Sequence, residues 1–233
     1  MIKYIFSIGV VATLVGLIAC TKAKVPVSYN QPYTLKTWLA LGDSYTIGQS
    51  VLETERFASQ TIQVLKPQDI LIYKPEYIAV TGWTTGNLLT GLQNYTPPLP
   101  KYDIVTLLIG VNNQYQGRSY AEYTTQFTTL LTKAIGYAGS IKNHVTVLSI
   151  PDWSCTPFAN GQNKMQIAKE IDSFNSINNT IALQMGVQYI NITPSTRQAT
   201  TNTALVANDG LHPSGLEYAK WATLLAASIK ANL

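Results

Sequence analysis

The run Ile104-Val105-Thr106-Leu107-Leu108-Ile109, followed at once by Gly110-Val111-Asn112-Asn113, decides the architecture. It is continuous, β-branched and non-alternating, as a strand must be when both of its faces are covered by helices in a parallel sheet. Four further runs share this character, at residues 38–41, 77–80, 145–150 and 187–192. Working outward, helix-period segments separate them. One carries Tyr120, Tyr123, Phe127, Leu130, Leu131, Ala134 and Ile135. A second carries Ile167, Ile171, Phe174, Ile177 and Ile181. A third, from about Ser214, places Leu216, Ala219, Ala222, Leu225 and Ile229 on one predicted face. Strands alternating with helices imply right-handed crossovers and a three-layer α/β/α domain with a five-stranded parallel sheet. In such sheets, ligands bind beyond the carboxyl ends of the strands.

The loops at those ends carry the chemistry. Gly42-Asp43-Ser44-Tyr45-Thr46-Ile47-Gly48 follows the first run, and Thr81-Gly82-Trp83-Thr84-Thr85-Gly86-Asn87 the second. Asn112 and Asn113 follow the third, and Asn208-Asp209-Gly210-Leu211-His212-Pro213-Ser214 precedes the last helix. A serine becomes a nucleophile when a base takes its proton, and the base needs an acceptor that fixes its tautomer. Asp209 and His212 stand three apart around Gly210, a turn in which the carboxylate can reach Nδ1 and leave Nε2 for Ser44. The Ser44 amide, the Gly82 amide and the Asn112 side chain supply three donors for an oxyanion hole. Taken singly, Gly-Asp-Ser is a common turn and cap, and Gly82 and Asn112 are ordinary turn formers. Their common placement at strand ends makes them a site. His144, at the head of an apolar strand, reads as structural.

The four blocks resemble those of the SGNH (GDSL-like) hydrolases, with Ser44 in the first, Gly82 in the second, Asn112 in the third, and Asp209 with His212 in the last. The resemblance runs from about residue 37 to the C-terminus. It implies a flavodoxin-like sheet, hydrolysis of acyl esters, no metal and no organic cofactor. Two departures are visible: Tyr45 replaces the leucine that often follows the serine, and Asn113 replaces the aspartate usual after the asparagine. The first is expected to alter the pocket wall, and the second leaves open what supports that loop. The serine also lacks the second glycine of the Gly-x-Ser-x-Gly elbow.

Residues 1–19 combine Lys3, a short apolar core and a small-residue exit, the pattern of a secretory signal peptide. Leu17-Ile18-Ala19-Cys20 resembles a bacterial lipobox, which makes Cys20 the expected site of lipidation. Thr21, in place of aspartate, resembles an outer-membrane address. The expected location is therefore the bacterial cell envelope, at the outer membrane or facing the periplasm. Residues 20–35 read as a proline-marked tether reaching roughly 45 Å when extended, ahead of a hydrolase domain at 36–233. Of 16 Lys and Arg, removing Lys3 leaves 15 against 12 acids, a net charge of +3 with no basic run, so nucleic acid is not indicated. With Cys20 acylated, Cys155 has no partner, and one cysteine with His144 and His212 gives no zinc spacing.

The expected reaction is serine ester hydrolysis through an acyl-enzyme on Ser44. A short-acyl or carbohydrate (acetyl) ester is the favoured substrate, because no long apolar lid interrupts the chain. A lysophospholipase or thioesterase, and a non-catalytic surface binding module, stand as alternatives. Trp153 and Phe158, after the fourth strand, and Trp83 are candidates for the pocket wall, where aromatic rings suit sugar faces and acyl chains equally. Oligomeric state is not legible.

Overall fold

A computed structural model describes residues 34–96 and 98–233. The signal peptide, Cys20 and nearly all of the tether lie outside the described residues. At the centre stands β3 (Ile104–Leu108), buried along its whole length. It pairs in parallel with β1 (Trp38–Gly42) on one side and β4 (Val145–Leu148) on the other. β2 (Glu76–Ala79) and β5 (Gln188–Ile190) close the edges, giving the all-parallel order β2-β1-β3-β4-β5, the flavodoxin-like arrangement.

All five apolar runs form strands, but coverage is uneven. β1, β3 and β4 are fully buried, whereas β2 is mostly half-buried and β5 entirely so. An edge strand has one neighbour and less helix above it, so the expectation of burial on both faces holds only for the inner three.

Helices cover both faces. α2 (Phe57–Leu65) packs on α8 (Gly215–Asn232) on one side. On the other side, α3 (Thr85–Gln93) packs on α5 (Tyr120–Tyr137), which packs on α6 (Lys164–Met185). Three single-turn helices, α1 (Ser44–Ile47), α4 (Val111–Tyr115) and α7 (Thr193–Thr196), follow strand ends directly. The predicted face of α8 is corrected by packing. Ala222, Leu225 and Ile229 are buried as expected, but Leu216 is exposed and Ala219 only half-buried, and Tyr218, Trp221 and Ala226 complete the buried face. The two large rings set the phase, because Tyr218 and Trp221 both stack against Phe57 of α2 and bury far more area than Leu216 would. Trp221 Nε1 finds an acceptor in Glu217 at 2.8 Å, and Tyr218 donates to the carbonyl of Tyr45 at 2.9 Å, tying α8 to the loop after β1.

Strand order does the positioning. Because β2, β1 and β3 are neighbours, their carboxyl ends place the loops bearing Gly82, Ser44 and Asn112 side by side.

Candidate active site

Ser44 is the first residue of α1, directly after β1. Asp43 caps that turn by accepting from the Tyr45 amide at 3.0 Å. The Ser44 amide therefore sits in the first turn of a helix, where no intrahelical acceptor exists for it. The close turn depends on Gly42, where a Cβ would collide with the Thr46 hydroxyl and the Leu108 carbonyl.

The last block forms a tight loop. Gly210 has a φ of +73°, the amides of Leu211 and His212 both donate to Asp209 Oδ1 at 2.9 Å, and Ala207 donates to the His212 carbonyl at 2.7 Å. This geometry brings Asp209 Oδ2 to 2.6 Å from His212 Nδ1 and His212 Nε2 to 2.9 Å from Ser44 Oγ. Two residues 168 positions apart thus share a hydrogen bond. The His212 side chain is almost fully buried, with the Tyr45 ring 4.9 Å from its centroid. Partial burial pushes the Asp209 carboxyl upward, but the Ser50 hydroxyl, the two backbone amides and the imidazole outweigh it, and the group is held down at about 2. It is a carboxylate throughout the neutral range.

Asn112, in the first turn of α4, donates through Nδ2 to Asp43 Oδ2 at 3.3 Å and to the Trp83 carbonyl at 3.1 Å. Its amide is thereby aimed between the β1 and β2 loops. Burial pushes the Asp43 carboxyl up to about 7, against the pull of the Tyr45 amide and Asn112. Gly82 has a φ of +80° and faces open space. It does not line the cleft over Ser44, although the Trp83 carbonyl bond ties its loop to Asn112.

That cleft encloses about 120 Å³ and is walled by Val111, Tyr115, Trp153, Phe158 and Leu211 around Ser44, Asn112 and His212. Trp153 and Phe158 take up the wall positions considered for them. Trp83 does not, because its ring lies against Gly91 of α3 and packs on the core. His144 stands at the amino end of β4, far along the strand from the loops that bear the site. Among the described residues no three His, Cys, Asp or Glu side chains converge as a metal ion would need.

Two contributors, Ser50 and Tyr115, escape sequence inspection, and a third residue, Asn113, is visible there without a role. Ser50 donates to Asp209 Oδ2 at 2.6 Å from 159 residues away. Tyr115, at the end of α4, adds a wall ring whose only signal is its spacing of three from Asn112. Asn113, buried, accepts from the Thr85 amide at 2.9 Å and donates to the Thr85 hydroxyl at 2.8 Å. This bond pair locks the start of α3 to the loop after β3, which is the support left open by the missing aspartate.

A serine bonded to a histidine that is itself bonded to a carboxylate, at the carboxyl ends of a parallel sheet, is the apparatus of a serine hydrolase. The family model for GDSL-like lipases and acylhydrolases matches residues 40–220, and the chain belongs to that family. Solved structures share its fold at low identity. The acetylxylan esterase Axe2 of Geobacillus stearothermophilus is 16% identical, with a TM-score of 0.64 over 83% of this chain and 94% of that one. A lipase/acylhydrolase from Enterococcus faecalis is 18% identical, with a TM-score of 0.61 over 84% and 96%. The psychrotrophic esterase EstA of Pseudoalteromonas sp., inhibited by monoethylphosphonate in its crystal, is 18% identical, with a TM-score of 0.56 over 84% and 96%. No curated protein matches the chain in sequence. The chain is an enzyme, and the binding-module alternative is set aside.

Proposed function

We propose that the protein removes short acyl groups, acetyl above all, from a carbohydrate ester through an acyl-enzyme on Ser44. The observation that carries this reading is the unbroken relay from Asp209 through His212 to Ser44, at 2.6 and 2.9 Å. His212 Nε2 takes the Ser44 proton as Oγ attacks the ester carbonyl. The oxyanion is held by the Ser44 amide and by Asn112, where its charge displaces the neutral Trp83 carbonyl as acceptor, and the Gly82 amide, outside the cleft wall but on the loop tied to Asn112, turns in as the third donor when substrate binds. Collapse breaks the bond to the alcohol oxygen, and His212 returns the proton to it. Water, deprotonated by His212, then attacks the acyl carbon, the bond from that carbon to Ser44 Oγ breaks, and His212 returns the proton to Oγ as the acid leaves. The short-acyl preference is supported by the small cleft, about 120 Å³ and closed by three aromatic rings.

Ser44→Ala is expected to abolish hydrolysis of 4-nitrophenyl acetate while leaving the fold intact. A phosphonate ester is expected to modify Ser44 alone, read by peptide mass. Wild-type turnover in Ser44→Ala would end the assignment.

We propose further that the chain is anchored to the cell envelope through lipid on Cys20, with residues 20–35 as the tether. The support is the order of apolar, small and cysteine residues at its start. No helix among the described residues is long and apolar enough to cross a membrane. Labelled palmitate is expected to enter the wild-type protein and not Cys20→Ser, and equal labelling of both would refute the anchor.

A further inference from the structure

Beyond the rings of the catalytic cleft the surface continues into an open groove of about 660 Å³. The two spaces share Tyr115, Trp153 and Phe158. Past these rings the groove wall is carried by Gln162, just before α6, and by Gln166 and Glu170 in the first two turns of that helix. The geometry points to a neutral oligosaccharide as the occupant of this groove, lying with one sugar over the rings and its acylated hydroxyl at Ser44. This inference rests on the esterase reading of the site and extends it to the alcohol side of the ester.

Four observations carry it. The rings form a mutually packed triangle, with Tyr115–Trp153 centroids 5.5 Å apart, Trp153–Phe158 5.8 Å and Tyr115–Phe158 6.2 Å. Two of them are nonetheless turned to solvent, Tyr115 at 57% and Phe158 at 45% exposure, beside the mouth of a reactive cleft. Adjacent exposed rings of this kind mark a binding surface. Second, the platform is rigid. Trp153 Nε1 donates to Gln114 Oε1 at 2.7 Å, and Gln114 Nε2 donates to Glu170 Oε2 at 2.8 Å. The Phe158 amide donates to the Gly210 carbonyl at 2.9 Å, so the ring loop is bonded to the Asp209–His212 loop itself. A ring position fixed relative to the base fixes which hydroxyl of a stacked sugar reaches the serine.

Third, the wall past the rings is mostly polar, with the exposed side-chain amides of Gln162, Asn163 and Gln166 beside Glu170 and a single aliphatic residue, the buried Ile167. Side-chain amides offer donor and acceptor together, matching the hydroxyls of a sugar edge, whereas an acyl chain would leave them unpaired. Fourth, among the described residues no lysine or arginine lines the groove, and its one charge, Glu170, is negative. Phosphate headgroups and acidic polysaccharides are therefore disfavoured. Glu170 also accepts from Gln166 at 2.5 Å, which presents that amide along the groove floor.

The test compares kcat/KM of wild type, Phe158→Ala and Gln166→Ala. The substrates are acetylated xylose, mannose and glucose, their acetylated tetrasaccharides, and 4-nitrophenyl esters from acetate to octanoate. Both substituted side chains are exposed, so folded variants are expected. Wild type is expected to prefer at least one tetrasaccharide to its monosaccharide by about ten-fold or more, and both variants to lose most of that ratio. Equal rates on every monosaccharide and tetrasaccharide, or a ratio unchanged in both variants, would overturn the proposal. So would a preference for octanoate that disappears in Phe158→Ala, which would make the groove an acyl channel. Calorimetric titration of Ser44→Ala with unacetylated xylotetraose, mannotetraose and cellotetraose reads the groove without turnover. Binding of one of them, weakened in Phe158→Ala, supports the groove even if 4-nitrophenyl acetate is not cleaved, a failure that would count against the esterase reading alone. Binding of none would count against the groove.

Discussion

Asp43 and Asn112 are hydrogen-bonded across two neighbouring strand ends, Nδ2 of Asn112 donating to Oδ2 of Asp43 at 3.3 Å. The other carboxylate oxygen of Asp43 caps α1 through the Tyr45 amide. One buried carboxyl therefore holds both the serine turn and the asparagine of the proposed oxyanion hole.

Its titration has a sign that can be checked. The carboxyl moves from an ordinary 3.8 to about 7 on folding, because burial disfavours its charged form. Between those values the folded chain keeps a proton that the unfolded chain has released. The stabilisation is complete below 3.8 and is lost as pH rises through about 7. Asp43→Asn keeps a good helix cap but cannot accept from both Tyr45 and Asn112. It is expected to flatten the fall in Tm between pH 5 and 8 and to lower kcat roughly ten- to a hundred-fold with KM little changed. Scanning fluorimetry across that range, with initial rates on 4-nitrophenyl acetate, decides it. A wild-type Tm slope in the variant would count against the account.

Ser50 holds Asp209 from a strained position, with a φ of +68°. Ser50→Ala removes the hydroxyl and keeps the strain, whereas Ser50→Gly removes both. Glycine is expected to be the more stable of the two by about 1 kcal/mol, with kcat reduced several-fold in each. The pH dependence follows from the depressed carboxyl. Its stabilisation is present above 3.8 and is lost as pH falls toward about 2. Without the Ser50 hydroxyl the carboxyl rises toward its ordinary value, so both variants are expected to lose less stability than wild type on going from pH 5 to 2.5. Urea unfolding at the two pH values measures this, and an undiminished loss in both would exclude Ser50 as a support of Asp209.

The inner sheet was legible because burial on two faces demands uninterrupted apolar residues, and residues 104–109 have no other use. The catalytic blocks were legible for a different reason, since each combines a reactive side chain with a backbone-breaking glycine or proline close by. What escaped inspection was long-range or phase-dependent. α2 hides its buried face, Phe57, Ala58, Thr61 and Leu65, among polar residues. On α8 the expected Ala222, Leu225 and Ile229 are buried, but contact with Phe57 decides that Tyr218 and Trp221, and not Leu216, complete the face. The Ser50–Asp209 bond joins an exposed serine to a loop far along the chain, and no local pattern encodes it.

Asn113 makes a prediction about the departure from the usual motif. Its amide donates to the Thr85 hydroxyl, which donates in turn to Gln126 Oε1 at 2.5 Å, and Gln126 Nε2 donates to Glu122 at 3.1 Å. A carboxylate at 113 could still accept from the Thr85 amide, but the hydroxyl would have to turn toward it and leave Gln126. Asn113→Asp is expected to cost about 1–2 kcal/mol of stability, with kcat/KM within about three-fold of wild type because neither Ser44 nor His212 moves. Denaturant melts and ester kinetics together test it. A larger loss of activity than of stability would mean that Asn113 acts on the oxyanion hole directly.

Two glycines in the serine and oxyanion loops separate packing from catalysis. At Gly42 a Cβ would strike the Thr46 hydroxyl and the Leu108 carbonyl, the latter being backbone of the central strand and unable to yield. Gly42→Ala is therefore expected to destabilise the fold by about 1–3 kcal/mol or more. At Gly82 a Cβ would meet nothing within 4 Å, and only the φ of +80° opposes it, at about 1–2 kcal/mol for an L-residue. Gly82→Ala is expected to stay folded while the peptide rotates away from the strained conformation and its amide leaves the oxyanion. On 4-nitrophenyl acetate this should appear as a fall in kcat of roughly ten-fold or more, with KM within about two-fold, since the donor acts on the transition state and not on the ground state. A folded Gly82→Ala protein with wild-type kcat would remove Gly82 from the oxyanion hole and leave its role to the Ser44 amide and Asn112.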